Sequence, residues 1–289
     1  MQQSIQWFPG HMTRTRRRMA QVLPLIDMVI EVVDARIPQS SRNPDLDELL
    51  AKKPRLLILN KADIADETAT AAWVREFRRQ GYAVITMDCK NGNGVSKIVP
   101  AMREVLKDKI EQWTQKGMEG RPIRSLVVGI PNSGKSSLIN RLTKGAKAKV
   151  EERPGGTRDQ KWFLVDGGVQ LLDTPGVLWP KFEDQTVAAK LAFTGAIRDE
   201  VLDREEVAFE LLKVLMVDYE PLLRARYKLE GDLPDDAWEL LQLIGRKRGM
   251  LISGGEIDTL RASVMLLDEY RGGKLGRITL DPIIKREES

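Results

Sequence analysis

The chain of 289 residues contains a single cysteine, Cys89, and a single histidine, His11. One cysteine excludes a disulfide framework, and one cysteine with one histidine excludes a structural zinc site built from these two residue types. The sequence also lacks low-complexity tracts and internal repeats. Because a chain of this length can bury a sizeable core, we expect one large and one small domain.

Long apolar runs are lacking as well. The stretch IDMVIEVVDARI, residues 26–37, is interrupted by acids at 27, 31 and 34, so no membrane span is expected. The first residues lack the apolar core of a secretory signal. They are acid-free and arginine-rich as in a mitochondrial transit peptide, but a core strand beginning near Ile26 leaves little to remove. We therefore expect a cytoplasmic protein.

Positive charge is in slight excess, with a net charge of +4. It is concentrated at residues 14–18 (RTRRR), at 245–249 (GRKRG), and at Arg271, Lys274 and Arg277. Each cluster alone is typical of a solvated face, but three of them in a balanced chain favour an anionic partner such as RNA.

Apolar runs alternate with helical patterns up to about residue 120. Strands are predicted at 26–35, 55–60, 82–88 and 125–130, helices near 45–52, 67–80 and 95–116, and a hairpin at Asp166-Gly167-Gly168. This alternation predicts a doubly wound α/β sheet over residues 1–180. Apolar residues at helical spacing predict a smaller all-helical domain over residues 181–289.

The stretch GIPNSGKS, residues 129–136, matches the phosphate-loop pattern G-x-x-x-x-G-K-[ST] between a predicted strand and a predicted helix. Glycines let successive backbone N–H groups point at a phosphate, Lys135 reaches the terminal phosphates, and Ser136 ligates Mg²⁺. The predicted phosphate site comprises Asn132, Ser133, Gly134, Lys135, Ser136 and Ser137.

The tetrapeptide NKAD follows the predicted strand at 55–60. The carboxylate of Asp63 can accept two hydrogen bonds from the N1 and N2 edge of guanine, which adenine does not offer. Lys61 can lay its stem across the base, while Asn60 ties the loop together. Beside a phosphate loop this pattern selects GTP over ATP. The predicted guanine site comprises Asn60, Lys61, Ala62 and Asp63.

A second guanine contact is predicted after the strand at 82–88, where the backbone of Cys89 and Lys90 can face the guanine carbonyl. The alternative is that the following Asn-Gly-Asn-Gly is only a turn. Cys89 is interpreted as a small packed residue and not as a nucleophile.

Two further stretches complete the predicted nucleotide site. In LLDTPG, residues 171–176, Asp173 would hold Mg²⁺ through water and the N–H of Gly176 would contact the γ-phosphate. In PGGTRD, residues 154–159, Thr157 lies on a glycine-rich loop of the kind that γ-phosphate and Mg²⁺ order.

The order of these motifs is unusual, because the guanine-reading motifs precede the phosphate loop, which comes first in Ras-like GTPases. Termini of compact domains lie at the surface, so the same sheet can be built with new chain ends. The chain resembles the circularly permuted GTPases, and within them the ribosome biogenesis GTPase A (YlqF-type) family, essentially from end to end. The motifs that carry the resemblance are QWFPGHM, DARIP, NKAD, GIPNSGKSSLIN, PGGTR and DTPG.

The resemblance implies a circularly permuted Ras-like P-loop GTPase domain with an N-terminal basic arm at residues 1–180. The helical domain at 181–289 would bind RNA and the ribosome. The implied activity is that of a GTPase that binds a large ribosomal subunit precursor, through its RNA and proteins, and leaves on GTP hydrolysis. Ser136, Thr157 and Asp173 would hold magnesium. Neither a zinc ion nor a membrane is expected as a partner.

Potassium stimulation is also implied, with Asn132 as its ligand, and a loop-stabilising hydrogen bond is the alternative role for Asn132. Val177 stands where Ras-like enzymes have the glutamine that orients the attacking water, so we expect hydrolysis to be slow alone and stimulated by the large subunit. His11 on the arm, potassium at Asn132, or the ribosomal partner would position that water.

The catalytic candidates are therefore His11, Lys135 and Thr157. His11 has two alternative roles, as a structural residue or as a plain RNA contact. Two functions other than that of an assembly factor are also compatible with the sequence. One is a GTP-sensing RNA-binding module with negligible turnover, and the other is a GTPase that acts on another RNA.

Overall fold

A computed structural model describes residues 10–143, 150–151, 162–176, 178 and 184–282. These residues fall into two compact units. The sheet unit holds the described residues from 10 to 178 together with 281 and 282, and the helical unit holds residues 184–280. Residues 281 and 282, which the sequence assigned to the helical domain, thus lie in the sheet unit.

The sheet unit contains six described α-helices and a seven-stranded sheet. The helices are α1 (Gly10–Val22), α2 (Pro44–Leu49), α3 (Glu67–Arg79), α4 (Ile98–Val105), α5 (Lys107–Gln115) and α6 (Lys135–Thr143). The strands are β1 (Met28–Asp34), β2 (Arg55–Asn60), β3 (Ala83–Thr86), β4 (Ile123–Val128), β5 (Val150–Glu151), β6 (Trp162–Val165) and β7 (Val169–Asp173).

The strands lie in the order β3-β2-β1-β4-β7-β6-β5. Neighbours from β3 to β7 pair in parallel, whereas β6 runs antiparallel to β7 through the predicted hairpin, and β5 runs antiparallel to β6. Positive φ angles at Gly167 and Gly168 build that hairpin turn. The strand that carries the phosphate loop, β4, therefore lies in the centre of the sheet, although three strands precede it along the chain.

Helices cover both faces of the sheet. All seven residues of β1 are therefore buried. On one face Ile30 and Val32 pack in a core with α4 and α6. On the other face Val33 packs with Trp73 and Phe77 of α3. The predicted doubly wound α/β fold is confirmed. The segment predicted as one helix over 95–116 is two, because Leu106 departs from helical backbone angles (φ −106°, ψ 14°).

The helical unit contains α7 (Gln185–Phe193), α8 (Arg204–Asp218), α9 (Glu220–Tyr227), α10 (Ala237–Lys247) and α11 (Thr259–Arg271). Four of these helices begin at an aspartate whose carboxylate accepts backbone N–H groups of the first turn: Asp184, Asp203, Asp236 and Asp258. The centre of the bundle is α8, which packs against α7, α10 and α11. Its leucines at 211, 212 and 215 are fully buried.

Two of the basic clusters contain arginines that form ion pairs within this unit. The guanidinium of Arg271 donates to Asp199 at 2.8 Å and to the carbonyls of Ala192 and Phe193 at the end of α7. Arg248 is paired with Glu269 at 3.4 Å. Arg246, Lys247 and Arg248 itself are all exposed. Of these residues, only Arg271 is withdrawn from the positive surface available to an RNA partner.

Candidate nucleotide-binding site

The phosphate-loop sequence lies between β4 and α6, and its two glycines are required by close approaches. A Cβ atom at Gly129 would lie 2.5 Å from the carbonyl oxygen of Val32 in β1. A Cβ atom at Gly134 would lie 2.1 Å from Nδ2 of Asn60, and Gly134 has a φ of 106°. Asn132 also has a positive φ, of 57°. The loop is thus folded tightly against β1 and the end of β2.

Lys135, the first residue of α6, is buried among groups of this loop. Its Nζ donates to the carbonyl oxygen of Ile130 at 2.8 Å. Burial lowers the pKa of Lys135 to about 8, although the negative charge of Asp173 opposes the shift. Ser136 and Ser137 follow on the exposed first turn of α6. The helix N-terminus and the lysine together offer positive charge and N–H donors suited to a phosphate group.

Asn60, the last residue of β2, joins two loops that are far apart in the sequence. Its Nδ2 donates to the carbonyl oxygen of Ser133 at 2.7 Å, and its Oδ1 accepts from the backbone N–H of Cys89 at 3.0 Å. The side chain is fully enclosed, with 2% of the residue exposed. The phosphate loop and the 88–91 loop are therefore held at a fixed separation by one amide.

Lys61 follows Asn60 with a left-handed backbone, at a φ of 61°. Its Nζ donates to Oδ2 of Asp34 at 2.8 Å. Asp34 also accepts from Nε and Nη2 of Arg36, at 3.0 and 2.8 Å. Burial alone would raise the pKa of Asp34, but the charges of Arg36 and Lys61 outweigh burial and hold that pKa well below its usual range. Neither Asp34 nor Arg36 was predicted to be a site residue from the sequence.

The 88–91 loop is a turn built around Asp88. Oδ1 of Asp88 accepts from the backbone N–H groups of Lys90 and Asn91, at 2.8 and 3.0 Å. Arg141 of α6 donates to the carbonyl oxygens of Cys89, at 2.9 Å, and of Lys90. The N–H groups of Cys89 and Lys90 thus have acceptors inside the protein, at Asn60 and Asp88. Their contact with a guanine carbonyl stays a prediction.

Cys89 itself is buried, and burial raises the pKa of its thiol to about 12. A thiol with this pKa stays protonated at neutral pH and is a poor nucleophile. This agrees with the interpretation of Cys89 as a packed residue. The roles of Asp88 and Arg141 were not predicted from the sequence. Asp88 could have been noticed, because an Asp at the start of a turn often accepts hydrogen bonds from backbone N–H groups that follow it.

The Asp-x-x-Gly turn lies beside the phosphate loop. Asp173 ends β7 in register with Val127 of β4, and the hydroxyl of Thr174 donates to the carbonyl of Val127 at 2.6 Å. A Cβ atom at Gly176 would lie 2.7 Å from the backbone of Pro131 and 3.1 Å from Nζ of Lys135. The fold therefore brings Asp173, Gly176 and Lys135 together from separate segments.

The oxygen atoms that Ser136 and Asp173 present at this position are suitable ligands for a magnesium ion. Ser136 presents a hydroxyl on the first turn of α6, and Asp173 presents a carboxylate whose charge acts on Lys135. Hydroxyl and carboxylate oxygens are the protein ligands that Mg²⁺ prefers. Within the described residues no cluster of three or more His, Cys, Asp or Glu is arranged to hold a metal ion.

Three residues of the prediction lie outside this geometry. Thr157 and Val177 are not among the described residues, and His11 is described only as part of the backbone of α1. Of the helix that carries it, Met19 and Val22 are buried while Arg17 and Arg18 are exposed. None of the described helices is long and apolar enough to span a bilayer.

A glycine-rich loop with a buried lysine, an Asp-x-x-Gly turn and an Asn-Lys-x-Asp turn meet at the carboxyl ends of parallel strands. This arrangement defines a P-loop GTPase domain, and its motif order along the chain is circularly permuted.

Comparison with known proteins identifies the family within this class. Residues 124–228 match the family described as 50S ribosome-binding GTPase. Ribosome biogenesis GTPase A of Bacillus cereus is 48% identical over 96% of this chain and 93% of its own. Its counterpart in Priestia megaterium is 46% identical over 99% of each chain. The GDP-bound structure of TM YlqF is 29% identical, covers 92% of this chain and 98% of its own, and superposes with a TM-score of 0.66. The chain belongs to the ribosome biogenesis GTPase A family.

Proposed function

We propose that this protein is a cytoplasmic GTPase that assists assembly of the large ribosomal subunit. The observation that carries the GTPase part is the pair of hydrogen bonds by which Asn60 joins the phosphate loop to the 88–91 loop. This pair supports a single site in which one loop binds the phosphates and the other binds the base. The ribosomal part rests on membership of a family whose relatives are named ribosome biogenesis GTPases, together with the match to a 50S ribosome-binding GTPase family.

In this proposal Asp63 reads the guanine edge, and Lys61, Ala62 and the 89–90 backbone complete the base pocket. The loop from Asn132 to Ser137 wraps the phosphates, with Lys135 aimed at the terminal ones. Ser136, Asp173 and Thr157 would hold Mg²⁺, which neutralises charge on the phosphates when bound. The packing of Gly176 against Pro131 and Lys135 supports a contact between its N–H and a γ-phosphate.

We further propose that turnover is slow in the isolated protein and accelerated by the large subunit, and that hydrolysis releases the protein. Val177 cannot orient a water through its side chain, so another group must do so. We assign that role to His11, with potassium at Asn132 as the second candidate. The exposure of Arg17 and Arg18 on the same helix supports a contact between these cations and ribosomal RNA.

The first experiment measures GTP turnover of the full chain alone, with separated large subunits, and with separated small subunits. The expected result is acceleration by the large subunit only, which Lys135→Ala abolishes. Binding to either subunit without any acceleration would instead indicate a GTP-sensing RNA-binding module. Acceleration by an RNA other than the subunit would indicate a different substrate.

The second experiment tests His11→Ala in the same assay, with Arg17→Ala as the matched control on the same helix. Water-positioning groups contribute about 10²–10⁴-fold, so His11→Ala should lose most of the acceleration while subunit binding is kept. Loss of subunit binding with unchanged basal turnover would make His11 an RNA contact. Arg17→Ala should weaken subunit binding and leave the rate of the bound complex unchanged.

A further inference from the structure

A buried carboxylate lies next to the guanine-reading motif and belongs to a different strand. Asp34 ends β1, in register with Asn60 at the end of β2. Both Asp34 and Arg36 are 1% exposed. Lys61 reaches across this strand pair, and its ammonium contacts Oδ2 of Asp34 at 2.8 Å. The motif's lysine is thus tied to a residue that precedes it by 27 positions.

Asp34 is itself held from several directions. Arg36 donates to it through the backbone N–H at 3.1 Å, through Nε at 3.0 Å and through Nη2 at 2.8 Å. The backbone N–H of Asp34 donates to the hydroxyl of Ser41 at 3.1 Å. A carboxylate with a bidentate arginine partner has a well-defined orientation. Asp34 is therefore a rigid anchor point for the ammonium of Lys61.

Lys61 is constrained at both ends. Its backbone is in the left-handed region, between Asn60 and Ala62, which are both hydrogen-bonded to neighbouring loops. Its ammonium is pinned at Asp34, while 24% of its side chain is exposed. A free lysine side chain loses substantial rotamer entropy when it is ordered. Fixing both ends removes that cost before any nucleotide arrives and leaves the methylene stem as a preformed surface.

We propose that Asp34 is a positioning residue for nucleotide binding, which holds the ammonium of Lys61 so that the lysine stem forms one wall for the face of the purine ring. This inference rests on the proposed assignment of residues 60–63 to the base. Burial lowers the pKa of Lys61, and the charge of Asp34 opposes that shift, so Asp34 also favours the charged form of the ammonium.

The proposed role separates ring stacking from edge recognition. The lysine stem touches the face of the ring, which guanine and hypoxanthine share, whereas Asp63 reads the N1–H and the N2 amino group. Removing the carboxylate of Asp34 should therefore lower the affinities for GDP and for inosine diphosphate by the same factor. Removing the carboxylate of Asp63 should instead change the ratio between the two affinities.

The test measures the affinity of the full chain for GDP and for inosine diphosphate by calorimetry. The variants are Asp34→Asn, Lys61→Met, Lys61→Ala and the double variant Asp34→Asn/Lys61→Met. Hydrogen bonds between charged groups are stronger than those between neutral groups. Asp34→Asn and Lys61→Met should therefore each lower the affinity for both nucleotides about 10- to 100-fold. The double variant should be no weaker than either single one, since both remove the same contact.

Ser41→Ala is the matched control, because it removes a hydrogen bond from the backbone of Asp34 and leaves the carboxylate in place. It should lower the melting temperature without changing nucleotide affinity. If Asp34→Asn does not fold, Lys61→Met breaks the same contact from the exposed end and decides the question alone.

Two outcomes overturn the inference. One is that Asp34→Asn or Lys61→Met binds GDP with wild-type affinity while Lys61→Ala binds it more weakly. The side-chain stem at position 61 would then contribute to binding without the contact to Asp34. The other is an additive loss in the double variant, which would show that Asp34 acts by another route. If Lys61→Ala also binds GDP as the wild type does, the assignment of residues 60–63 to the base fails as well.

Discussion

Asn60→Ala is the substitution whose effect the structure predicts most fully. It removes the amide that accepts from the N–H of Cys89 and donates to the carbonyl of Ser133. Both backbone groups would lose their partner at a position where only 2% of Asn60 is exposed to solvent. The alanine side chain offers no replacement and leaves a space beside Gly134.

The magnitude follows from the two orphaned groups. A buried polar group without a partner costs about 1–3 kcal/mol, so the pair costs about 2–6 kcal/mol of unfolding free energy. In a unit of this size such a loss lowers the melting temperature by on the order of 10 °C. GDP affinity should fall as well, because the nucleotide must then order two loops that Asn60 otherwise holds at a fixed separation.

The assay combines thermal unfolding with calorimetric GDP titration below the unfolding transition. Asn60→Asp is the informative companion, because it keeps the acceptor for Cys89 and places a second oxygen against the Ser133 carbonyl. It should therefore be at least as damaging as Asn60→Ala. An Asn60→Ala protein with wild-type melting temperature and wild-type GDP affinity would refute the reasoning.

Three further predictions concern other parts of the sheet unit. Asp63→Asn should shift preference from GTP to xanthosine triphosphate in a competition assay, and a variant that keeps the original preference would contradict the assignment. Because burial lowers the pKa of Lys135 from 10.5 to about 8, GTP binding must restore its proton above that pH. GTP affinity should thus fall above about pH 8, with increasing proton uptake by calorimetry, while the unliganded protein gains stability from about pH 8 to about pH 10.5; a flat profile would contradict this. Asp281→Asn should cost about 1.5–3 kcal/mol in urea unfolding, because the carboxylate accepts from the N–H and hydroxyl of Ser40 at 2.7 and 2.6 Å. An unchanged midpoint would mean that this buried contact is not needed.

The strands and the phosphate loop could be predicted because their signals are local. The apolar run RLLILN is a strand with the predicted bounds, since both faces of a central parallel strand must be apolar. The hairpin at Asp166-Gly167-Gly168 forms because only glycine adopts its positive φ angles without strain. In each case the physical requirement falls on residues that are adjacent in the sequence.

The contacts that shape the nucleotide site could not be predicted in this way. Arg141 reaches Cys89 across 52 positions, and Asp34 reaches Lys61 across 27. Nothing in the local sequence says which of many charged residues will be buried together. The same is true of Arg271, which looked like part of a basic surface and instead binds Asp199 and the end of α7.

The class of fold, the permuted order of the motifs and the identity of the groups that can contact a nucleotide could all be inferred from the amino-acid order alone. These features can be inferred because backbone conformation at a glycine, and burial along a strand, depend on near neighbours. Which of these groups act together depends on the folded arrangement of distant segments. Parallel strands bring the ends of β1, β2, β4 and β7 to one edge of the sheet. There Asn60 and Asp34 acquire partners from other segments, because a buried charge or amide must be paired wherever the fold places it.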